Sequence, residues 1–414
     1  MNQYLSKFGF QAPTVIEKTS PNLGLIVVIP CFNEPDIIKS IESLAACKKP
    51  LKDVEIIVVI NHGEHHDTEI IDQNKNALNS LKKWSTQNNP FFKLHVITSF
   101  NLPKKHAGVG LARKIGMDEA VARFDSAKYD GLIICFDADS TCDKNYFTAI
   151  ENHFEKHLKA PGAAIRYEHP IEGTDFDGSI YEGIINYELF LRYYNQGLIW
   201  ANLPFAFHTV GSSMAVRCSA YQKQGGMNKR KAGEDFYFLH KIIALGNFTE
   251  INNTKVIPSP RTSDRVPFGT GKAISDWINN ESKDYLTYDV RIWDILKDFN
   301  ATIPLLQLNG LRDTEFNKKI DNQTLIEYLD LNNFNEDLKG IRLNSTSPES
   351  FLKRFFVWFN AFRVLKLVHY LRDKQFPNQP IFDQAKLMSK KRSFAKNETT
   401  SKSLLLAYRK FEAN

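Results

Sequence analysis

Short apolar runs alternate with helical patterns over residues 24–140, and this alternation restricts the fold more than any other feature of the chain. Four runs of strand length lie at residues 25–29, 54–60, 94–98 and 132–136. A segment with helical periodicity separates each run from the next. Because parallel strands need crossover connections, this β-α-β-α-β-α-β order predicts an α/β fold with a doubly wound, mostly parallel sheet.

Polar side chains follow each of the four predicted strands. The segments are 32–34, 61–62, 100–101 and 137–139. In open parallel sheets, ligands bind outside the carboxyl ends of the strands. We therefore expect one site that is assembled from these four loops.

The segment Asp137-Ala138-Asp139 comes straight after the fourth of these runs. Two carboxylates one residue apart at the end of a buried strand are costly unless positive charge lies beside them. Mg²⁺ and Mn²⁺ prefer hard oxygen ligands, and Mg²⁺ is commonly held by one or two carboxylates together with phosphate oxygens. The pair therefore predicts a cation that bridges to a diphosphate, although surface aspartate pairs are common.

The composition excludes several classes of function. A net charge of +6 over 414 residues is too small to indicate nucleic-acid binding, but it is compatible with an anionic substrate. The five cysteines are scattered and include no C-x-x-C pair, which predicts free thiols and no zinc site. Neither an apolar leader in residues 1–21 nor a spanning segment is recognisable, so we expect a cytoplasmic protein.

Gly233-Glu234-Asp235 opens an apolar helical pattern about a hundred residues after the aspartate pair. Acidic residues are common in the first turn of a helix, because they interact favourably with its dipole. Together with a metal motif, the same residues are candidates for the base that accepts a proton from a sugar hydroxyl. Asp235 is the preferred candidate and Glu234 the second.

Arg261 and Arg265 lie in a segment, 258–271, whose prolines and glycines indicate a shaped loop. Their guanidinium groups suit the oxygens of a leaving diphosphate, although solvated surface arginines would look the same. The segment 108–113 resembles a dinucleotide-binding motif but has Arg113 at its third glycine position. With Gly110 at a helix start, it suits a bound anion and not a nicotinamide cofactor.

Residues beyond 270 show helical patterns and no convincing strands. The aromatic segment 351–371 with interspersed lysines and arginines indicates packing, or alternatively contact with a membrane surface. The Lys- and Ser-rich tail after Phe382 suggests partial disorder. Residues 160–232 are expected to shape an acceptor pocket, with Tyr181, Glu182, Trp200 and His208 as candidate lining residues.

Four ordered segments make the chain similar to family 2 glycosyltransferases of the GT-A fold over roughly residues 24–270. They are 29–34, 108–116, 137–139 and 233–235. The resemblance implies a Rossmann-like sheet flanked by helices, with a nucleotide-binding half at 24–140 and an acceptor-binding half at 141–270. An N-terminal extension, 1–23, and a helical C-terminal region, 271–414, would flank this domain.

The resemblance also implies roles for individual residues. Asp139 would be the main ligand of Mn²⁺ or Mg²⁺, Asp137 would face the metal or the ribose, and Asp235 would be the catalytic base with Glu234 beside it. The residues expected to bind the nucleotide-sugar are Pro30, Phe32, Asn33, Glu34, Asn61, Gly110, Arg113, Asp137, Ala138, Arg261 and Arg265. Many relatives carry aspartate where this chain has Asn61, which leaves the nucleobase open.

The sequence therefore predicts a metal-dependent glycosyltransferase that moves a sugar from a nucleotide-diphosphate sugar to an acceptor hydroxyl. The resemblance implies inversion, although some relatives of the GT-A fold with similar motifs retain the configuration. The alternatives are a sugar-nucleotide nucleotidyltransferase and a non-catalytic carbohydrate-binding protein. The acceptor, whether carbohydrate, lipid or small molecule, stays open. So does association with the cytoplasmic face of a membrane, and no nucleic-acid partner is expected.

Overall fold

The computed structural model describes residues 2–263, 269–280, 282, 284–307 and 320–413. The chain forms two compact units. The first unit comprises Met1–Tyr181, Thr209–Ser275 and Ala413–Asn414, and the second comprises Glu182–His208 and Asp276–Glu412.

The first unit is built on a sheet with the strand order β3-β2-β1-β4-β7-β6-β8-β5. The four strands β1 to β4 are mutually parallel, β7 is antiparallel to both β4 and β6, and β8 is parallel to β6 and antiparallel to β5. The strands are β1 (Leu23–Cys31), β2 (Asp53–Gly63), β3 (Lys93–Leu102), β4 (Leu132–Cys135), β5 (Thr141–Cys142), β6 (Gly162–Tyr167), β7 (Met214–Arg217) and β8 (Thr249–Ile257). The predicted α/β class with a mostly parallel sheet is confirmed.

The helices up to residue 279 are α1 (Gln3–Phe8), α2 (Ile37–Ala45), α3 (Thr68–Gln87), α4 (Val109–Ala127), α5 (Tyr146–Lys156), α6 (Gly178–Trp200), α7 (Cys218–Lys223), α8 (Glu234–Ile243) and α9 (Thr270–Asn279). A unit boundary falls within α6 and another within α9. Strands β1, β2 and β4 are buried along nearly their whole length, as expected for parallel strands with helices on both faces.

Helix α4 is buried on all sides, although its sequence contains several charged residues. Each charge has a partner: Arg123 pairs with Glu55, and Lys114 pairs with Asp118. The N-terminal segment covers part of the helix, and Tyr4 donates its hydroxyl proton to Asp118 at 2.7 Å. Because its charged side chains have partners, a helix with many polar residues can lie directly on the sheet.

The second unit is mainly helical. Its remaining elements are β9 (Leu286–Thr287), α10 (Val290–Thr302), a 3₁₀ helix (Ile303–Gln307), α11 (Gln323–Leu331), α12 (Phe334–Leu343), α13 (Pro348–Trp358), α14 (Ala361–Lys374), β10 (Gln379–Pro380), α15 (Ile381–Lys391) and α16 (Ser401–Glu412). Within the described residues, none of the helices has the length and apolar character needed to cross a bilayer.

The tail after Phe382 is ordered as α15 and α16, so the expectation of partial disorder is wrong. Tyr408 is fully buried and donates its hydroxyl proton to the Ala385 carbonyl oxygen at 2.8 Å. Arg409 pairs with the fully buried Glu188 of α6 at 2.6 Å. Composition alone indicated disorder because it does not reveal these partners, which are distant in sequence.

Candidate functional site

The loop after β1 is held by Asn74 of α3, a residue that the sequence analysis did not identify as part of the site. Asn33 has a left-handed backbone conformation with φ of 49°, and its N–H donates to Asn74 Oδ1 at 2.9 Å. Asn74 Nδ2 in turn donates to the carbonyl oxygen of Asn61, the residue near the end of β2, at 3.0 Å. Asn74 is fully buried in α3, and it thereby joins two of the predicted nucleotide-binding segments.

A signal for Asn74 is present in the sequence. It stands at the first position of the buried stripe of α3, which continues with Ala77, Leu81 and Trp84. A polar residue in such a stripe is costly unless it forms hydrogen bonds. Asn74 was therefore identifiable as a residue with a buried polar partner, although its partners were not.

Asn61 is buried, and its Oδ1 atom has no hydrogen-bond partner among the described residues. Aromatic rings lie near it in the chain: His62 stacks on Phe100 with centroids 4.5 Å apart, and Phe32 and His66 are 4.8 Å apart. A buried acceptor without a donor is costly, and a ligand N–H would relieve that cost.

Hydrogen bonds from α2 hold the backbone of the loop that carries Asp137 and Asp139. Ser40 Oγ lies 2.8 Å from the Ala138 carbonyl oxygen and 2.7 Å from that of Ser140. The backbone and Ala138 are thus held inward, while the side chains of Asp137 and Asp139 keep 37% and 28% of their surface exposed. Their carboxylates are accessible to a ligand.

Arg113 connects two segments that are far apart in sequence. Its buried guanidinium group lies 2.5 Å from Asp137 Oδ1 and pairs with Glu234. Burial opposes the charge, but Asp137 and Glu234 raise the pKa of Arg113 above its ordinary value. The predicted anion-binding residue therefore contacts two carboxylates in this structure.

Two glycines permit this arrangement of Arg113. A Cβ atom at Gly211 would contact the guanidinium group, and one at Gly110 would overlap the Arg230 carbonyl oxygen. Gly110 therefore allows the start of α4 to approach the backbone that precedes Glu234. A contact between Gly110 and a nucleotide stays a prediction.

Arg261 forms a second connection between distant segments. Its Nη1 lies 2.8 Å from Glu34 Oε1 in the β1 loop, and its Nη2 lies 2.9 Å from Asp139 Oδ2. Arg261 thereby joins the loops after β1 and β4, and Pro30 lies at the end of that β1 strand. Arg265, the other predicted phosphate ligand, lies outside the described residues.

The two acidic residues at the start of α8 lie in different environments. Glu234 is buried against Arg113, and burial raises its pKa to about 7. Asp235 is half-buried, and burial also raises the pKa of this carboxyl group. Asp235 Oδ1 accepts the N–H of Phe236 at 2.7 Å. Of the two, Asp235 is the one with an exposed surface for an acceptor.

The oxygen atoms of Asp137 and Asp139 have the chemistry that a hard divalent cation needs. Within the described ranges, however, His, Cys, Asp and Glu side chains form no group of three or more that could hold a metal ion. The two carboxylates therefore fit a cation only if phosphate oxygens supply further ligands. The candidate lining residues Trp200 and His208 belong to the second unit, where they contact Asp294 and Glu412.

Comparisons with known proteins give one family. Residues 26–224 match the profile of the family described as Glycosyl transferase family 2. No curated protein sequence matches the chain.

Solved structures of S. aureus TarS are similar to the chain. The structure of TarS 1–349 in complex with UDP-GlcNAc has 14% identity and a TM-score of 0.41, with 92% of this chain and 95% of that chain covered. The structure of TarS 1–349 in complex with UDP has 13% identity and a TM-score of 0.38, with 91% and 94% covered. These values are too low for the likeness to inform on the ligands of this chain.

Proposed function

We propose, from the match of residues 26–224 to glycosyltransferase family 2, that the first unit binds a nucleotide-diphosphate sugar at the carboxyl ends of β1 to β4. The sugar is transferred to an acceptor hydroxyl. Asp235 is the base, and Glu234 positions Arg113.

One observation carries this proposal: two arginines connect the four segments that define the resemblance. Arg261 joins Glu34 to Asp139, and Arg113 joins Asp137 to Glu234. Arg261 and Glu34 are separated by 227 residues in sequence. A structural role alone would not require acidic residues from three loops at the edge of the sheet where parallel α/β folds bind ligands.

Asn61 supports a nucleobase with a ring N–H. Its buried Oδ1 lacks a donor among the described residues, and both the N3–H of uracil and the N1–H of guanine would supply one. The Phe32 and His66 rings offer apolar faces near the same strand ends. We therefore expect uridine or guanosine diphosphates to bind in preference to adenosine diphosphate.

Asp137 and Asp139 would hold a divalent cation together with the diphosphate. When bound, the cation supplies Lewis-acid neutralisation of the charge on the leaving group. Arg261 pairs with the Asp139 carboxylate and adds positive charge beside the proposed diphosphate position. Between them, these groups favour departure of the diphosphate.

The transfer step uses Asp235 as a proton acceptor. The acceptor oxygen bonds to the anomeric carbon, its proton passes to the Asp235 carboxylate, and the bond from carbon to the diphosphate oxygen breaks with its electron pair on the diphosphate. The raised pKa of Asp235 makes this carboxylate a better base near neutral pH. Attack opposite the leaving group inverts the anomeric carbon.

A thermal-shift experiment tests the proposed donor. UDP, GDP and ADP are added to the full chain with and without Mn²⁺, and the melting temperature is measured. UDP or GDP with Mn²⁺ should raise it, because a ligand that binds the folded state stabilises that state. Equal and negligible shifts with all three nucleotides would contradict the proposed donor site.

A further inference from the structure

Two cysteines lie in contact beneath the loop that carries Asp137 and Asp139. Cys47 follows the C-terminal end of α2, and Cys142 is in β5, three residues after Asp139. Their sulfur atoms are 3.6 Å apart, although the residues are separated by 95 positions in sequence. Cys47 is buried, whereas Cys142 is partly exposed. We propose that these two thiols form a reversible disulfide on oxidation, and that this bond displaces the aspartate loop.

The contact between α2 and this loop gives the disulfide a mechanical consequence. Ser43 Oγ of α2 accepts the N–H of Cys142 at 2.9 Å, and Ser40 of the same helix bonds to the backbone on both sides of Asp139. A disulfide has a sulfur separation of about 2 Å, so its formation must draw β5 and the end of α2 together. The short segment between Asp139 and Cys142 must then move together with β5.

The environment of Cys47 favours the thiolate that starts the reaction. A hydrogen bond from Cys142 is the main cause that lowers the pKa of Cys47, and the backbone N–H of Tyr146 contributes. Tyr146 is the first residue of α5, and the N-terminus of a helix favours a thiolate. The pKa of Cys142 is raised, chiefly by the same hydrogen bond, so Cys142 keeps its proton.

Hydrogen peroxide is a suitable oxidant, since it is small enough to reach a buried thiol. The Cys47 thiolate attacks one peroxide oxygen, which gives a sulfenic acid and hydroxide. The Cys142 sulfur then attacks the Cys47 sulfur, and the departing hydroxyl leaves as water with the Cys142 proton. In total, two thiols and one peroxide give one disulfide and two waters, and a dithiol reverses the oxidation.

Peptide mapping of the full chain tests the bond. The protein is treated with hydrogen peroxide, blocked with N-ethylmaleimide and digested, and the peptides are weighed before and after dithiothreitol. A linked pair of peptides with Cys47 and Cys142 should form and should be absent from Cys47→Ser and Cys142→Ser. Cys218→Ser is the matched control, because Cys218 is buried beside Gln222 and away from this pair. If the peroxide-treated protein keeps its native melting curve and yields no linked peptide pair, the proposal is wrong.

Amide exchange tests the effect on the loop. Exchange over residues 137–143 should change in the oxidised protein, because displacement of the loop alters the hydrogen bonds that protect its amides, such as that from the Cys142 N–H to Ser43 Oγ. Unchanged exchange in a fully linked protein would overturn the loop displacement.

The effect on the donor rests on the proposed function. Oxidation should weaken UDP binding with Mn²⁺ by about fivefold or more, a common size for coupling between sites. Cys142→Ser should show no effect of peroxide on UDP binding. If the reduced protein binds no nucleoside diphosphate, the proposed function fails, while peptide mapping and amide exchange still decide the disulfide.

Discussion

Each unit of this chain contains a cluster of charged side chains with buried members, and the two clusters differ in their ratio of carboxyl groups to arginines. In the second unit, two glutamates face two arginines and fix α16 to α6. We call this group the anchor cluster: Glu188, Arg192, Arg409 and Glu412. In the first unit, five carboxyl groups surround two described arginines. We call this group the site cluster: Glu34, Arg113, Asp137, Asp139, Glu234, Asp235 and Arg261.

The pKa values follow this balance. Burial opposes the charge of Glu412, but Arg192 and His208 hold its pKa at about 2. In the site cluster, burial prevails, and the pKa of Glu234 is raised to about 7. Carboxyl groups with raised pKa values are costly to keep ionised in a folded protein and are typical of functional sites. The comparison therefore separates a cluster in which arginine compensates the carboxyl charge from one in which burial keeps a carboxyl pKa raised.

The largest effect is expected for Asp235→Asn. Removal of the base should lower the rate of sugar transfer or donor hydrolysis by about 10²- to 10⁴-fold, with little change in melting temperature. Glu69→Gln is the matched control, because Glu69 is an exposed acidic residue in the first turn of α3. A rate for Asp235→Asn equal to that of the control would remove Asp235 from the mechanism.

Arg192→Met tests the anchor cluster. Loss of one partner leaves Glu188 and Glu412 with an uncompensated buried charge, and the free energy of unfolding should fall by about 3–5 kcal/mol. Lys339→Met is the control, since Lys339 and Glu336 form a pair in which both side chains are exposed, and its loss should cost about 1 kcal/mol or less. Denaturant unfolding followed by circular dichroism measures both. Similar losses would mean that the anchor cluster contributes no more than a surface pair.

Asp139→Ala tests whether the carboxyl groups that outnumber the arginines in the site cluster hold a metal ion. In the unsubstituted protein, Mn²⁺ should add to the thermal stabilisation by UDP, which reaches about 2.7 kcal/mol at a ligand concentration 100-fold above Kd. The variant should lose the increment that depends on Mn²⁺, and Asp72→Ala, at an exposed pair with Lys75, should keep it. An equal increment in both variants would exclude Asp139 as a metal ligand.

The sequence was sufficient to predict the α/β class and the mostly parallel sheet of the first unit. The strand at Leu132–Cys135 follows from a local pattern, because a short continuous apolar run is typical of a buried strand. The pairing of Arg113 with Glu234 and the role of Asn74 could not be derived from local spacing, because their partners lie far away in the sequence. The catalytic and binding roles, and the domain limits near residues 23 and 270, stay predictions.

The smallest expected effect is a shift in pH dependence for Arg113→Met. Arg113 lowers the pKa of both Asp235 and Glu234 through its charge, so its loss should raise both. Asp235 acts as a carboxylate, and the rate therefore increases as the pH rises through its pKa. A higher pKa moves this acid limb of kcat/KM to higher pH, by about one unit, or 1.4 kcal/mol.

Arg192→Met should leave the limb in place although it destabilises the protein. Asp137→Asn should move the limb to lower pH, because Asp137 raises both pKa values. Identical profiles for all three variants would mean that the charge of the site cluster does not set the protonation of the base.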